Sequence, residues 1–335
     1  MNPPDAPRRG PFGRLLDVLA VPRRVDAQAP LARALVDHAR TGRSRSVHVL
    51  RPGGASYSLE TDDFFDTQGH QSQIDQAVLA HARGRVLDVG AGAGRHALAL
   101  EACGCEVVAI DVSPMCVDLM RTRGVHRTHC IDVWDLLPGA EDAQPGGAGL
   151  PPEARALRGQ RYDTILFGMQ SIGIVGTLGG LDAMLAGLPA LLAPGGQVLL
   201  DSSPPRGHDF EALFTFADGE GDEKGEGGGS GTVAPQSVDA DADVPDARRA
   251  GEAEVSFSYR GWRGVFFPWL YLGADALAHA AARRGFACRV LAQADGSGEY
   301  LACLEPARGA GVYDRGEASQ TGAAVGAVGA GEERG

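Results

Sequence analysis

Long apolar runs are missing from this chain. A helix that crosses a membrane needs roughly 18–20 consecutive apolar residues, and the best candidate, Phe12 to Val21, is short and broken by Arg14 and Asp17. Nor do a charged region, an apolar stretch and a small-residue cleavage site follow one another at the N-terminus, so a cytoplasmic location is expected. No C-x-x-C pair occurs. Cys103, Cys105, Cys116, Cys130, Cys288 and Cys303 are spaced wrongly for standard zinc or redox sites. Most fall in apolar stretches, which suits reduced thiols packed as small hydrophobes. Positive charge is also short: the formal net charge is −12 and the pI is near 5.2. A surface built throughout for nucleic acid is disfavoured by that balance, although arginines cluster in the first 45 residues. No internal repeat is visible.

What is present is an ordinary globular composition, 44% apolar over 335 residues, enough for one large α/β domain with appendages or two small ones. Gly, Ala and Arg are abundant, so a lone glycine carries little weight. Residues 1–29 are rich in Pro and Arg and are expected to be weakly ordered, with a short helix at Arg14–Leu19. An N-terminal cap is expected over 30–84. It holds a helix from Pro30 to Arg40, a hairpin around Pro52-Gly-Gly, and a helix from Ile74 to Ala82. From Arg85 the pattern alternates strand and helix. Arg85–Gly90 and Glu106–Asp111 are near-continuous apolar runs, as strands buried on both faces should be. Ser113-Pro114 offers an N-cap and a first-turn proline, and Gly124 a stop. Further strands are expected at Thr128–Asp132, Tyr162–Met169, Gln197–Ser202, Glu254–Arg260, Phe286–Ala292 and Glu299–Leu304. Helices are expected at Leu181–Leu192 and Asp275–Arg284, with a turn at Ala193-Pro-Gly-Gly. Residues 138–160 read as a disordered insertion, 217–250 as a disordered acidic loop and 307–335 as a disordered tail. The expected fold is α/β: a doubly wound, mostly parallel seven-stranded sheet over 85–306, with an N-terminal helix and hairpin beside its C-terminal edge.

The unit that carries chemistry is Val86-Leu-Asp-Val-Gly-Ala-Gly-Ala-Gly94, followed by Val107-Val-Ala-Ile-Asp111. Glycines between a strand and a helix let the backbone approach a ligand, and the helix start offers free N–H groups. An acid at the end of the next strand is placed for both ribose hydroxyls of a nucleoside. A nicotinamide dinucleotide favours G-x-G-x-x-G, because its pyrophosphate lies on the helix start. Here the spacing is G-x-G-x-G, with Asp88 two residues ahead of the first glycine. A carboxylate there suits the ammonium of an amino-acid moiety better than a pyrophosphate.

On these residues the chain resembles the class I S-adenosylmethionine-dependent methyltransferases, from about Arg85 to Pro306. The resemblance implies a Rossmann-like fold and S-adenosyl-L-methionine as cofactor. It implies that Asp88, Gly90, Ala91, Gly92 and Gly94 hold the methionine part, that Asp111 meets the ribose and that Val112 lies against the adenine. Ile131-Asp132-Val133-Trp134 is similar to the family's third motif, where Asp132 would meet the adenine amino group beside Val133. Tyr162–Phe167 is similar to its fourth, with Phe167 beneath the reacting methyl, and Leu191-Leu-Ala-Pro-Gly-Gly to the turn before its fifth strand. A structural role stays open for Asp132, as a loop cap, and for Trp134, as a packing residue.

No catalytic residue is identified. Phe167-Gly-Met-Gln-Ser departs from the Asn/Asp-Pro-Pro-Tyr signature of enzymes that methylate nitrogen on bases or glutamine, and no cysteine nucleophile motif is seen, so DNA is not expected as a partner. The expected acceptor is a small molecule. A protein or RNA acceptor, a nicotinamide-dependent oxidoreductase and a non-catalytic S-adenosylmethionine-binding protein are the alternatives; oligomeric state is left open. Phe64 and Phe65 are candidate lid residues, and His70 and Gln170 candidate substrate contacts, with an exposed loop position favoured for His70. His96 is expected to pack on the first helix after the glycine loop, and His126 and His129 to lie at the surface or in the core. The aromatic stretch Trp262, Phe266, Phe267, Trp269 and Tyr271 is expected to pack on the terminal strand pair, with stacking on a planar acceptor as the alternative. Gly173–Gly180 is a candidate floor of the acceptor site.

Overall fold

The computed structural model describes residues 24–53, 56–67, 72–140, 149–205, 250–294 and 297–307. Helix α1 (Arg24–Thr41) begins ahead of the expected start at Pro30, which sits inside it. Pro30 has no N–H to give the helix, yet Ala27, Ala32, Ala34 and Leu35 are buried around it. That contact orders residues whose composition alone read as weakly structured. The expected helix at Arg14–Leu19 lies outside the described residues.

Strands β1 (Ser46–Leu50) and β2 (Ser56–Glu60) form the expected hairpin, paired from Ser46↔Glu60 to Leu50↔Ser56. A 3-10 turn at Thr61–Phe64 leads to α2 (Gln73–His81). A capping box opens α2: Ser72 Oγ accepts the Asp75 N–H, and the Asp75 carboxylate accepts the Ser72 N–H.

The main sheet follows with β3 (Arg85–Val89), α3 (Arg95–Ala102), β4 (Glu106–Asp111), α4 (Pro114–Arg123), β5 (Thr128–Cys130), α5 (Pro152–Leu157), β6 (Tyr162–Phe167), α6 (Leu178–Gly187) and β7 (Leu192–Ser202). Strands β8 (Ala250–Tyr259), β9 (Trp262–Arg263) and β10 (Phe267–Leu272), helix α7 (Ala274–Arg283), and strands β11 (Phe286–Gln293) and β12 (Tyr300–Pro306) complete it. Seven strands run in the order β5-β4-β3-β6-β7-β12-β11, parallel except that β12 is antiparallel to β7 and β11. Leu87, Val108 and Ile165 face Leu181, Met184 and Leu277 of α6 and α7. Val86, Val107 and Leu166 face Val78, Leu100 and Met120 of α2, α3 and α4. Two covered faces explain why these strands are apolar at nearly every position.

Three expectations need correction. The segment near 138–160 is not simply an insertion: α5 lies within it, and Leu150, Ala154 and Leu157 are buried in the main core. The loop ends before Ala250, the first residue of β8; residues 206–249 lie outside the described set. Strand β7 starts at Leu192, so Ala193–Gly196 is a register shift between Tyr162↔Leu192 and Thr164↔Gln197 and not a separate turn.

The larger surprise is a second sheet. Strand β8 pairs with β1 of the hairpin, giving the order β10-β8-β1-β2, with β9 on β8. The aromatic stretch thus belongs to this sheet and not to the terminal strand pair. Its core joins Val47, Val49, Val255, Phe257 and Phe267 to Ala27 and Ala34 of α1. No local pattern specifies a partner so distant in sequence. Truncation of Phe257, 6% exposed, should cost about 3–5 kcal/mol. In Phe257→Ala, hydrogen exchange should accelerate in β1, β2 and β10 while β3 and β6 stay protected; equal acceleration everywhere would show that the two sheets unfold as one.

Candidate active site

The glycine loop leaves β3 at Val89 and enters α3 at Arg95. Gly90, Gly92 and Gly94 have φ of 70°, 57° and 78°, a region that side chains other than glycine rarely adopt. The N–H groups of Gly90 and Ala91 donate to Ile110 O at 2.9 and 3.0 Å. Asp111 then ties the loop to the next turn: its Oδ2 accepts the Gly92 N–H at 2.9 Å and its Oδ1 the Ser113 N–H at 2.8 Å. Burial raises its pKa, and those two N–H groups pull it back. A cavity lies over this loop, lined by Gly90, Ala91, Gly92 and Asp111, and Asp88, 2% exposed, also lines it, with Oδ2 lacking a hydrogen-bond partner. Burial pushes its pKa up to about 6 against the pull of His96. A buried carboxylate oxygen without a donor is the natural seat for a cationic ligand group.

Gly94 differs from the other loop glycines. It caps α3, and a Cβ there would lie 2.9 Å from both Met120 and Val125. It allows close helix packing and does not line the cavity.

Beside the loop is a narrow slot walled by Val112, Asp132, Val133 and Ile174, with Asp111 at its side. Asp132 also caps the 3-10 turn Val133–Leu136, accepting the Trp134 N–H at 3.2 Å, and Trp134 is buried in the core. Gln28 of α1 closes the slot, and Leu31, Ala32 and Leu35 cover the glycine loop. Phe167, expected at the site, is fully buried in the core. The alternation of β6 turns it away, and Gly168, Met169 and Ser171 line the cavity in its place.

A second cavity, of about 830 Å³, adjoins the first across Phe64, Arg95, Met169, Phe257 and Trp269. It lies between the second sheet and the C-terminal edge of the main one. Met169 and Gln170 have φ of 54° and 59°, which costs about 1–3 kcal/mol each. They are held there by Asp201, whose two carboxylate oxygens each accept the Gln170 N–H at 3.0 Å, and by the Gln170 side chain, which donates to Glu299 at 2.8 Å. Asp201 is 3% exposed, and burial pushes its pKa up to about 7. Asp75 behaves oppositely. Burial raises it, but the His96 hydrogen bond at 3.0 Å, the Arg95 guanidinium and Ser72 outweigh that and leave it at about 2.

Gln170, Phe64 and Phe65 line this cavity, and Phe65 also stacks on His38 with ring centroids 4.0 Å apart. His70 lies outside the described residues. His126 is exposed and pairs with Glu101, and His129 lies 3.7 Å from Glu153. The glycine-rich segment is less a floor than a bed for β10: a Cβ on Gly173 would collide with the Trp269 ring. Asp75, Arg95, Asp201 and Glu299 were not singled out from the sequence. Asp201 had a usable signal, since it ends an apolar strand as Asp88 and Asp111 do.

A methyltransferase-domain family model matches residues 70–290. The chain belongs to that family. The methyltransferase is similar in structure to an S-adenosylmethionine-dependent methyltransferase from Bacteroides fragilis in complex with S-adenosyl-L-homocysteine, at 27% identity over 85% of this chain and 97% of that one, TM-score 0.61. Looser likenesses are to DesVI of Streptomyces venezuelae (17% identity, 70% and 90% covered, TM-score 0.41) and to 1,6-didemethyltoxoflavin-N1-methyltransferase of Burkholderia thailandensis (16%, 91% and 94%, 0.40). A comparison with curated proteins gave no significant match. The cofactor of the methyltransferase is S-adenosylmethionine, which sets the nicotinamide alternative aside. No helix among its described residues is long and apolar enough to cross a membrane.

The Asp88 shift makes stability depend on pH. The folded chain keeps the Asp88 proton up to about pH 6, whereas the unfolded chain releases it near pH 4. Wild-type stability therefore falls as pH rises through that window. Asp88→Asn should match wild type near pH 4 and exceed it above pH 6 by up to about 3 kcal/mol, read by urea unfolding; parallel pH profiles would refute the shift.

Proposed function

We propose that this chain transfers a methyl group from S-adenosylmethionine to a small molecule held in the second cavity. The observation that carries this reading is the contact between the two cavities at Phe64, Arg95, Met169 and Trp269. The first cavity fits the cofactor: the unpartnered Asp88 oxygen would take the α-ammonium, and the Gly90–Gly92 backbone would lie along the methionine part. Asp111 would face the ribose, and Val112, Asp132 and Val133 the adenine, with Gln28 of α1 closing over them. Bound there, the cofactor supplies an electrophilic methyl group on a sulfonium.

What remains for the protein is to position the nucleophile, exclude water and accept a proton. Orientation alone contributes roughly 7–11 kcal/mol in well-ordered systems, and the strained Met169-Gln170 turn, fixed by Asp201, gives the wall between the cavities a defined shape. A volume of about 830 Å³ matches the range of small-ligand sites, about 300–1,000 Å³. Six carboxylates and one guanidinium line it among the described residues, which is hostile to the phosphates of RNA.

Calorimetric titration with S-adenosylhomocysteine tests the reading. Micromolar binding is expected, with proton release near pH 6 as Asp88 ionises against the ammonium, and binding should be lost in Asp111→Ala. NADH should not bind. Failure of the homocysteine form to bind, or tighter binding of NADH, would overturn the assignment.

A further inference from the structure

The second cavity has a polarity that methyl transfer alone does not require. Arg95, the guanidinium among its lining residues, is already paired with Asp75, so the remaining carboxylates leave the cavity strongly negative. Its remaining walls mix aliphatic side chains with rings, those of Tyr57, Phe64, Phe65, Phe257, Trp269 and Tyr271, and Arg51 lies over the two tyrosine faces. Carboxylates and ring faces share one preference: both attract cations. Among the acids Asp201 stands apart. It ends β7 beside Met169-Gln170, where the two cavities meet, and it is almost wholly buried yet lines the cavity. The Gln170 N–H fixes both its oxygens. A carboxylate has about four lone-pair sites, so capacity remains for a donor in the cavity.

We propose that the acceptor is an amine that enters as its ammonium, and that Asp201 is the general base that removes its proton. This rests on the methyl-transfer reading above. An ammonium nitrogen has no lone pair and cannot attack carbon until it loses a proton. That proton passes to an Asp201 oxygen, and the freed lone pair forms the new N–C bond. The C–S bond of the sulfonium breaks, with its electron pair remaining on sulfur, and Asp201 later returns its proton to water. Groups that act on Asp201 come from every side: Asp75 of α2 and Glu299 ahead of β12 favour its protonated form, while His96 of α3 and the Gln170 N–H favour the charged form. Burial dominates and makes Asp201 a far stronger base than an exposed aspartate.

The test uses the full chain saturated with S-adenosylhomocysteine and three probes of one shape: phenethylamine, 2-phenylethanol and phenylacetate. Phenethylamine should bind at least tenfold more tightly than either isostere. Asp201→Asn keeps an oxygen for the Gln170 N–H, so it should retain the homocysteine-form affinity, with a Tm no lower than wild type, while the amine preference falls at least tenfold. With S-adenosylmethionine, methylation of phenethylamine should rise with pH through the Asp201 titration in wild type. In the variant kcat should fall about 10²–10⁴-fold with that titration gone. Equal binding of the three probes, tighter binding of the carboxylate, or an unchanged kcat and pH profile in Asp201→Asn would overturn the proposal. If the variant does not fold, the ranking of the probes in wild type decides alone. Failure of S-adenosylhomocysteine to bind wild type would instead overturn the methyl-transfer reading itself.

Discussion

Asp111 accepts the Gly92 N–H with one oxygen and the Ser113 N–H with the other, and both turns at the centre of the sheet's C-terminal edge hang on that buried carboxylate. Each such bond to a charged acceptor contributes about 1.5–3 kcal/mol, which offsets part of the cost of burying the charge. Without it the glycine loop, with three residues at positive φ, would have many conformations available. The start of α3, which carries Arg95 and His96, follows from that loop, while Asp88, just ahead of it in β3, is held by pairing with β4 and β6.

The same device recurs at the acceptor side. Asp201 receives the Gln170 N–H and stabilises a turn in which two residues that are not glycine have positive φ. Asp75 caps α2 and at once holds Arg95 and His96. Asp111 and Asp201 on the sheet and Asp75 on α2 thus organise loops, each near an element's end and each almost dry, and Asp88 is buried beside them. Their environments push their proton affinities apart: Asp75 is held charged by its partners, whereas Asp88 and Asp201, with fewer donors, sit far above the usual carboxylate range. Such separation assigns different work to chemically identical groups.

The second sheet and α1 supply what an open α/β sheet lacks, a roof. Trp269, Phe257 and Phe64 divide the space above the sheet edge, while Gln28 and Leu31 close the cofactor side. Gly173 is required beneath Trp269, because any side chain there would meet the indole. The roof therefore shapes the acceptor cavity by steric exclusion as much as by contact.

The main sheet was legible because its information is local. Apolar runs, Ser113-Pro114 and Gly124, and the Asp88–Gly94 loop each state their own conformation within a few residues, and they add along the chain. Phe167 was misplaced by one step of strand alternation, since a strand buried on both faces carries no mark of which side meets a ligand. The start of α1, α5 and the second sheet were hidden for a different reason. Pairing of β8 with β1, burial of Ala27 and Leu150, and the meeting of Asp201 with Gln170 join residues far apart in sequence, and nothing local to either partner names the other. The sequence by itself determined the sheet, its glycine loop and the nature of the cofactor. Only the tertiary structure decided the acceptor cavity, because a cavity is made by the surfaces of elements that touch, and its charge is the sum over all of them.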